Sequence, residues 1–204
     1  MGRVANILQL GLRYLDDVGE RKISKQELAF HLSQVELEIC QRALPLKSRK
    51  SITTVDGLAE YQLGPSVFRV LSCATPASWP DKLEFIQSPE EWAEIVGHSS
   101  SRKSPVYAIV WTGGVLELYP APSKGGDILN LACALFPDDL NETSEDPSLS
   151  AEWDTALVYG MVARINGDFS DRYESEVARL LHQTLRNSVV GAQRMRHWSD
   201  ELGF

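Results

Sequence analysis

The chain has 204 residues, of which 43% are hydrophobic and 24% charged, and its net charge is −8. That length suits one domain, or one domain with an insertion, and the composition is that of a soluble globular protein. No apolar run reaches membrane-spanning length, the N-terminus lacks the apolar core of an export signal, and an acidic chain is a poor grip for nucleic acid, where cations on phosphates supply the affinity.

Residues 3–15 predict a helix, with Val4, Ile7, Leu8, Leu12 and Leu15 on one broad apolar stripe. After a polar break, Ser24-Lys25-Gln26-Glu27 forms a capping box, in which the hydroxyl takes an orphan N–H and Glu27 reaches back to the Ser24 amide. The helix that follows carries a main stripe of Leu28, Leu32, Val35, Ile39 and Ala43. A second stripe of Phe30, Leu37 and Leu44 predicts contact on two sides, and Pro45 stops the helix. Lys47 to Lys50 reads as a small basic loop. From Ser51 the pattern becomes strand-like: ITTV, AEYQL, a turn at Gly64-Pro65-Ser66, then VFRVLSC. Ser88-Pro89-Glu90-Glu91 is a second capping box, opening a short helix with Trp92, Ile95 and Val96 facing inward. Residues 98–104 are Ser-rich, basic and loop-like.

Residues 105–136 are the stretch on which the chain is organised, and they read as three strands. Tyr107, Ile109 and Trp111 share one face of the first, Leu116 and Leu118 of the second, and Leu129, Leu131, Cys133 and Leu135 of the third. Such a period of two predicts sheets with one buried side. Thr112-Gly113-Gly114 suits a tight hairpin, and Pro120 and Pro122 end the second strand. Residues 137–150 read as an acidic loop. Ser150 is expected to cap a helix over 151–165, with Trp153, Leu157, Gly160 and Met161 on its core side. Ser170 is expected to cap another, stacking Tyr173, Val177, Leu180, Leu181, Leu185 and Val189. The predicted class is α+β: a helical bundle built from N- and C-terminal helices, an inserted antiparallel β-rich region and an extended C-terminal tail. The predicted segments are bundle helices over 1–50, the β-rich insertion over 51–137, the acidic loop and bundle helices over 138–185, and a docking tail over 186–204.

Enzyme chemistry has little to stand on. Cys40, Cys73 and Cys133 are odd in number and scattered, which favours reduced, buried thiols over a disulfide or a zinc site. His31, His98, His182 and His197 never pair at ligand spacing. Asp138-Asp139 and Glu90-Glu91 read as a solvated face and a helix-dipole partner rather than acid–base pairs. Gly113-Gly114 and Gly125-Gly126 lack the lysine and helix start of a phosphate loop. No catalytic, cofactor-binding or metal-binding residue is therefore expected. Two features remain. The tail places Trp198, Leu202 and Phe204, with Arg194 and Arg196 nearby, where there is little to form a core, as an anchor for another chain would. The other feature is an acidic belt. Asp127, Asp138, Asp139, Glu142, Glu145, Asp146, Glu152 and Asp154 lie between Gly125 and Ala163 without one Lys or Arg. Such a belt serves solubility, or lines a passage to which DNA must not stick.

Taken together, the helix ending LEICQRAL, then EYQLGPSVFRVLS, PVYAIVWTGGVLELYPAP, LNLACALFPDDL and AEWDTALVYGMVARINGDFSDRYESEVARLLHQTL resemble the head-to-tail connector, or adaptor, proteins of tailed bacteriophages. The likeness is to the tail tubular A type of short-tailed phages and covers roughly Val4 to Leu185. The chain departs from that pattern at Gly64, where Pro and then an acidic residue would be expected. The resemblance implies a non-enzymatic virion protein of the tail and neck region, assembled in the host cytoplasm. It implies a homo-oligomeric ring, expected to be twelve-fold, that joins the portal protein to a tail nozzle, tubular or fibre protein. DNA would pass through its channel during ejection without sequence-specific binding, and no membrane is involved. On this resemblance Arg186, Arg194, Arg196, Trp198, Leu202 and Phe204 are expected to dock on the portal, and Asp138, Asp139, Glu142, Glu145 and Asp146 to face the channel or the tail. The alternatives are a neck or tail-completion protein of a long-tailed phage, or a cytosolic enzyme or regulatory domain with a small-molecule pocket.

Overall fold

The computed structural model describes residues 2–17, 22–79, 82–97, 104–184 and 186. The chain divides into two compact units: Met1–Ala43 with Pro137–Phe204, and Leu44–Phe136. The first unit is helical, built from α1 (Arg3–Tyr14), α2 (Lys25–Ala43), a 3-10 turn (Ala151–Trp153) running into α4 (Asp154–Ala163), a second 3-10 turn (Gly167–Phe169) and α5 over residues 170–184. The second holds, among the described residues, seven strands and α3 (Pro89–Gly97). The α+β class read from the sequence is the one observed, with a bundle from both chain ends and the β-rich region between them.

In the helical unit the predicted stripes are the core. Val4, Ile7, Leu8 and Leu12 of α1 are buried with Leu28, Leu32, Val35 and Ile39 of α2 and Trp153, Leu157 and Met161 from the 3-10 turn and α4. Tyr173, Val177 and Leu180 of α5 join them. Each such side chain contributes about 2 kcal/mol by leaving water. α4 is apolar all round because neighbours surround it, and Gly160 lets it approach them. A Cβ built there would lie 2.5 Å from Val35 Cγ1 and 2.8 Å from Tyr173 Cε2. Of the second stripe of α2, Phe30 is 60% exposed, while Leu37 and Leu44 are half-buried.

The caps are partly as predicted. Ser24 Oγ accepts the Glu27 amide at 3.2 Å, and Ser88 Oγ accepts that of Glu91 at 3.3 Å. Ser150 instead turns its hydroxyl to Glu152 and caps no amide. Before α5 the cap is Asn166, whose Oδ1 accepts the Asp168 amide at 3.2 Å, because a 3-10 turn starts the segment three residues before Ser170.

The β-rich unit is two sheets. One has the order β1-β7-β3, from β1 (Lys47–Thr53), β3 (Val67–Ala74) and β7 (Ile128–Leu135), all antiparallel, with register shifts in β3. The other has the order β2-β6-β5-β4, from β2 (Glu60–Gln62), β4 (Glu84–Ile86), β5 (Tyr107–Trp111) and β6 (Val115–Tyr119). Their inner faces close over Leu63, Val67, Ala108, Leu116, Leu118, Leu129, Leu131 and Cys133. Three expectations are corrected here. Lys47 to Lys50 is strand rather than loop, because β7 offers it a full ladder from Ala134 to Leu131. β4 pairs parallel to β5, so the region is not wholly antiparallel. β5 is covered on both sides: Ala108 faces the sandwich, while Ile109 packs with Ile86 and Trp92, flanked by Tyr107 and Trp111. Its unbroken apolar run YAIVW fits that double burial. Val96 is 40% exposed, so of the three residues expected to face inward α3 turns Trp92 and Ile95 to this cluster and Val96 outward. The β5–β6 hairpin turns at Gly113 and Gly114, both at positive φ.

The thiols are free, and burial pushes Cys40 up to about 12 and Cys73 up to about 11, far from reactive thiolates.

Candidate functional site

The acidic loop over 137–150 has no regular structure, so its amides need partners from elsewhere. Most of those recorded come from inside the loop and from α2. Asp138 N donates to Ser148 Oγ at 3.1 Å, Asn141 N to Ser144 Oγ at 3.0 Å and Thr143 N to Asn141 Oδ1 at 2.9 Å. From α2, Ser33 Oγ accepts the Leu140 amide at 3.5 Å and Glu36 Oε1 accepts that of Leu149 at 2.8 Å.

The start of α1 ties the loop's outer half. Its first amides have no helical partner, and Arg3 N donates to Asp146 Oδ1 at 3.2 Å while Val4 N donates to Glu145 O at 3.1 Å. The Arg3 guanidinium donates to Leu149 O at 3.1 Å and pairs with Asp154. The chain passes close enough that a Cβ on Gly2 would meet the Glu145 carbonyl oxygen at 2.3 Å.

Glu36 is the deepest of these anchors, with no exposed surface and with Oε2 unpartnered. Burial pushes its carboxyl above the ordinary value; the Leu149 and Ser148 amides pull it back, Asp138 pushes it up and Arg3 pulls it down. Sequence reasoning passed over Glu36. The signal was its place at i+4 from Leu32 and i−4 from Cys40, on the buried side of α2.

With its backbone tied inward, the loop presents its acids outward. Asp138, Asp139, Glu142, Glu145 and Asp146 are all exposed, and none pairs with a basic side chain among the described residues. The structure thus gathers these five acids on one constrained loop. Of the predicted docking residues, Arg186 is helical and exposed, while Arg194, Arg196, Trp198, Leu202 and Phe204 lie outside the described residues.

Compared with known families, residues 3–202 match the SU10 adaptor protein family. The chain belongs to that family. A search of curated proteins returned no match to the chain. The assignment agrees with the resemblance to phage head-to-tail adaptors, and it makes the chain a phage adaptor with a structural role.

An adaptor works through surfaces, and this one has apolar ones as well. Tyr14 (44% exposed), Tyr159 and Phe169 pack with ring centroids 5.6–6.2 Å apart, with the Arg172 guanidinium 5.3 Å above Phe169. Beside the α2–α5 contact, Glu38 accepts from Arg42, Arg164 and Tyr173, and Arg42 forks onto Glu174 at 3.0 and 2.8 Å. No group of three or more acidic, His or Cys residues suited to a metal ion occurs among the described residues.

Proposed function

We propose that this adaptor is one subunit of a twelve-fold ring in the virion neck, beneath the portal at the unique capsid vertex, which receives the tail on its lower side and continues the DNA channel. It performs no catalysis. The observation that carries the proposal is the family match over residues 3–202. What supports a role through surfaces is a loop whose five acids are exposed and form no ion pair among the described residues. The segment 186–204, with Arg186, Arg194 and Arg196 near Trp198 and Phe204, is the part that docks on the portal. Aromatic and Arg anchors suit such a contact. Assembly takes place in the host cytoplasm before the tail joins.

The test is direct. Mixing the protein with its portal and imaging in negative stain is expected to show rings capping the portal, and a variant lacking 186–204 is expected to leave portals bare. Portals left bare by the full chain would overturn the adaptor reading. Equal binding by the truncated chain would overturn the docking assignment alone.

A further inference from the structure

The outer face of the β1-β7-β3 sheet carries exposed cations. Lys47 and Arg49 alternate with Ser48 and Lys50 along β1, and register places Lys47 level with Ala134 and Arg69, and Arg49 level with Ala132 and Ser72. Next to Arg49 lies a shallow depression of about 350 Å³ lined also by Ser51, Ser72, Ala74, Asn130 and Ala132. Lys47, Arg49 and Arg69 are exposed, and none meets a carboxylate among the described residues; Arg69 donates to the Gln87 amide oxygen at 2.6 Å. Small residues beside Arg49, with Lys47 and Arg69 further along the same face, leave room for an incoming backbone with acidic side chains. β1 is also a sheet edge, with one side of its ladder open.

The same chain carries a segment of that chemistry. Asp138, Asp139, Glu142, Glu145 and Asp146 are exposed, form no side-chain ion pair among the described residues and sit on a loop tied down by its own side chains and by α1 and α2. Two complementary patches at different places on one chain make a heterologous contact, the kind that closes into rings, and a loop already ordered loses little freedom on binding. We propose that the outer face of the β1-β7-β3 sheet of one copy receives the acidic loop of a second copy. This rests on the ring reading and names its subunit contact. It also assigns to that contact the acids that sequence alone had placed on the channel or tail side.

The test mixes light and isotopically heavy protein at low ionic strength and couples carboxylates to amines with a zero-length reagent. Links between Lys47 and the 138–146 segment are expected in mixed-isotope pairs. Reversing the sheet (K47E/R49E) or the loop (D138K/D139K/E142K) is expected to weaken self-association at least about tenfold. An equimolar mixture of the two variants should recover it, since each then offers the other an opposite charge. Such rescue also shows that both variants fold. Links confined to same-isotope pairs, no links at all, or failure of the mixture to associate would each overturn the proposal. So would a loss of duplex DNA binding by K47E/R49E without mixed links, which would make the face a phosphate surface. Portal binding is read separately, so a negative result here leaves the adaptor reading standing.

Discussion

The two units solve the same problem in opposite ways. In the β-rich unit the ladders of both sheets satisfy much of the backbone, and Thr54 is the single buried polar residue among those described. In the helical unit an irregular loop must lie against α1 and α2, and its amides are met by side chains instead. That need draws a carboxylate, Glu36, fully into the interior, and Asp17 is buried there too, its Oδ2 accepting the Lys22 and Ile23 amides at 2.9 Å. Sheets carry their own partners, whereas loops on helices borrow them. One borrowed partner, Glu36, is a buried carboxyl pushed above its ordinary value, so the helical unit should answer to pH through it.

The largest expected effects treat the two units alike. Leu157→Ala in α4 and Leu131→Ala in β7 each remove a fully buried side chain, and each should cost about 2–5 kcal/mol in chemical denaturation. A much smaller loss in either would mean that its core is less well packed than the burial implies. Gly160→Ala sharpens the contrast, since it inserts a methyl against Val35 and Tyr173. We expect a loss of about 1–3 kcal/mol despite the better helix propensity of Ala.

Glu36 tests the difference itself. Its folded-state value stands above the ordinary 4.5, so the stability it contributes is full below 4.5 and is lost as pH rises through the raised value. Glu36→Gln keeps an acceptor for the Leu149 amide without the charge. It should match the wild type in acid and gain on it toward neutral pH, by about 1.4 kcal/mol per unit of upward shift. Glu36→Ala should instead cost about 1–3 kcal/mol by leaving the Leu149 N–H alone. A flat difference between Gln and wild type from pH 4 to 8 would remove the pH response assigned to Glu36 in the helical unit. The smallest effect is expected at Arg42→Ala, below about 1 kcal/mol, because its pairs with Glu38 and Glu174 are largely in solvent.

The core stripes of α1, α2 and α5 and the alternation in β6 and β7 were legible in the sequence because a period of 3.6 or 2 names the buried face directly. Capping by Ser24 and Ser88 was legible for the same local reason. The Lys47–Lys50 strand was not, since charged residues become strand only when a neighbour supplies a ladder, and β7 lies 78 or more residues away in the chain. Both faces of β5 being buried was likewise a matter of what packed against it. The acids of the 138–146 loop could be counted in the sequence, but their outward presentation could not.

The sequence by itself determined which faces are apolar, where the acids cluster and that the chain resembles a phage adaptor, because these depend only on residue type and spacing. Tertiary structure alone decided that Glu36 is buried beneath the acidic loop, that the basic run is an edge strand of its sheet, and that the loop's acids are exposed with no ion pair among the described residues. Each of those depends on distant segments meeting, and the free energy of a charge is set by its surroundings rather than by its place in the chain.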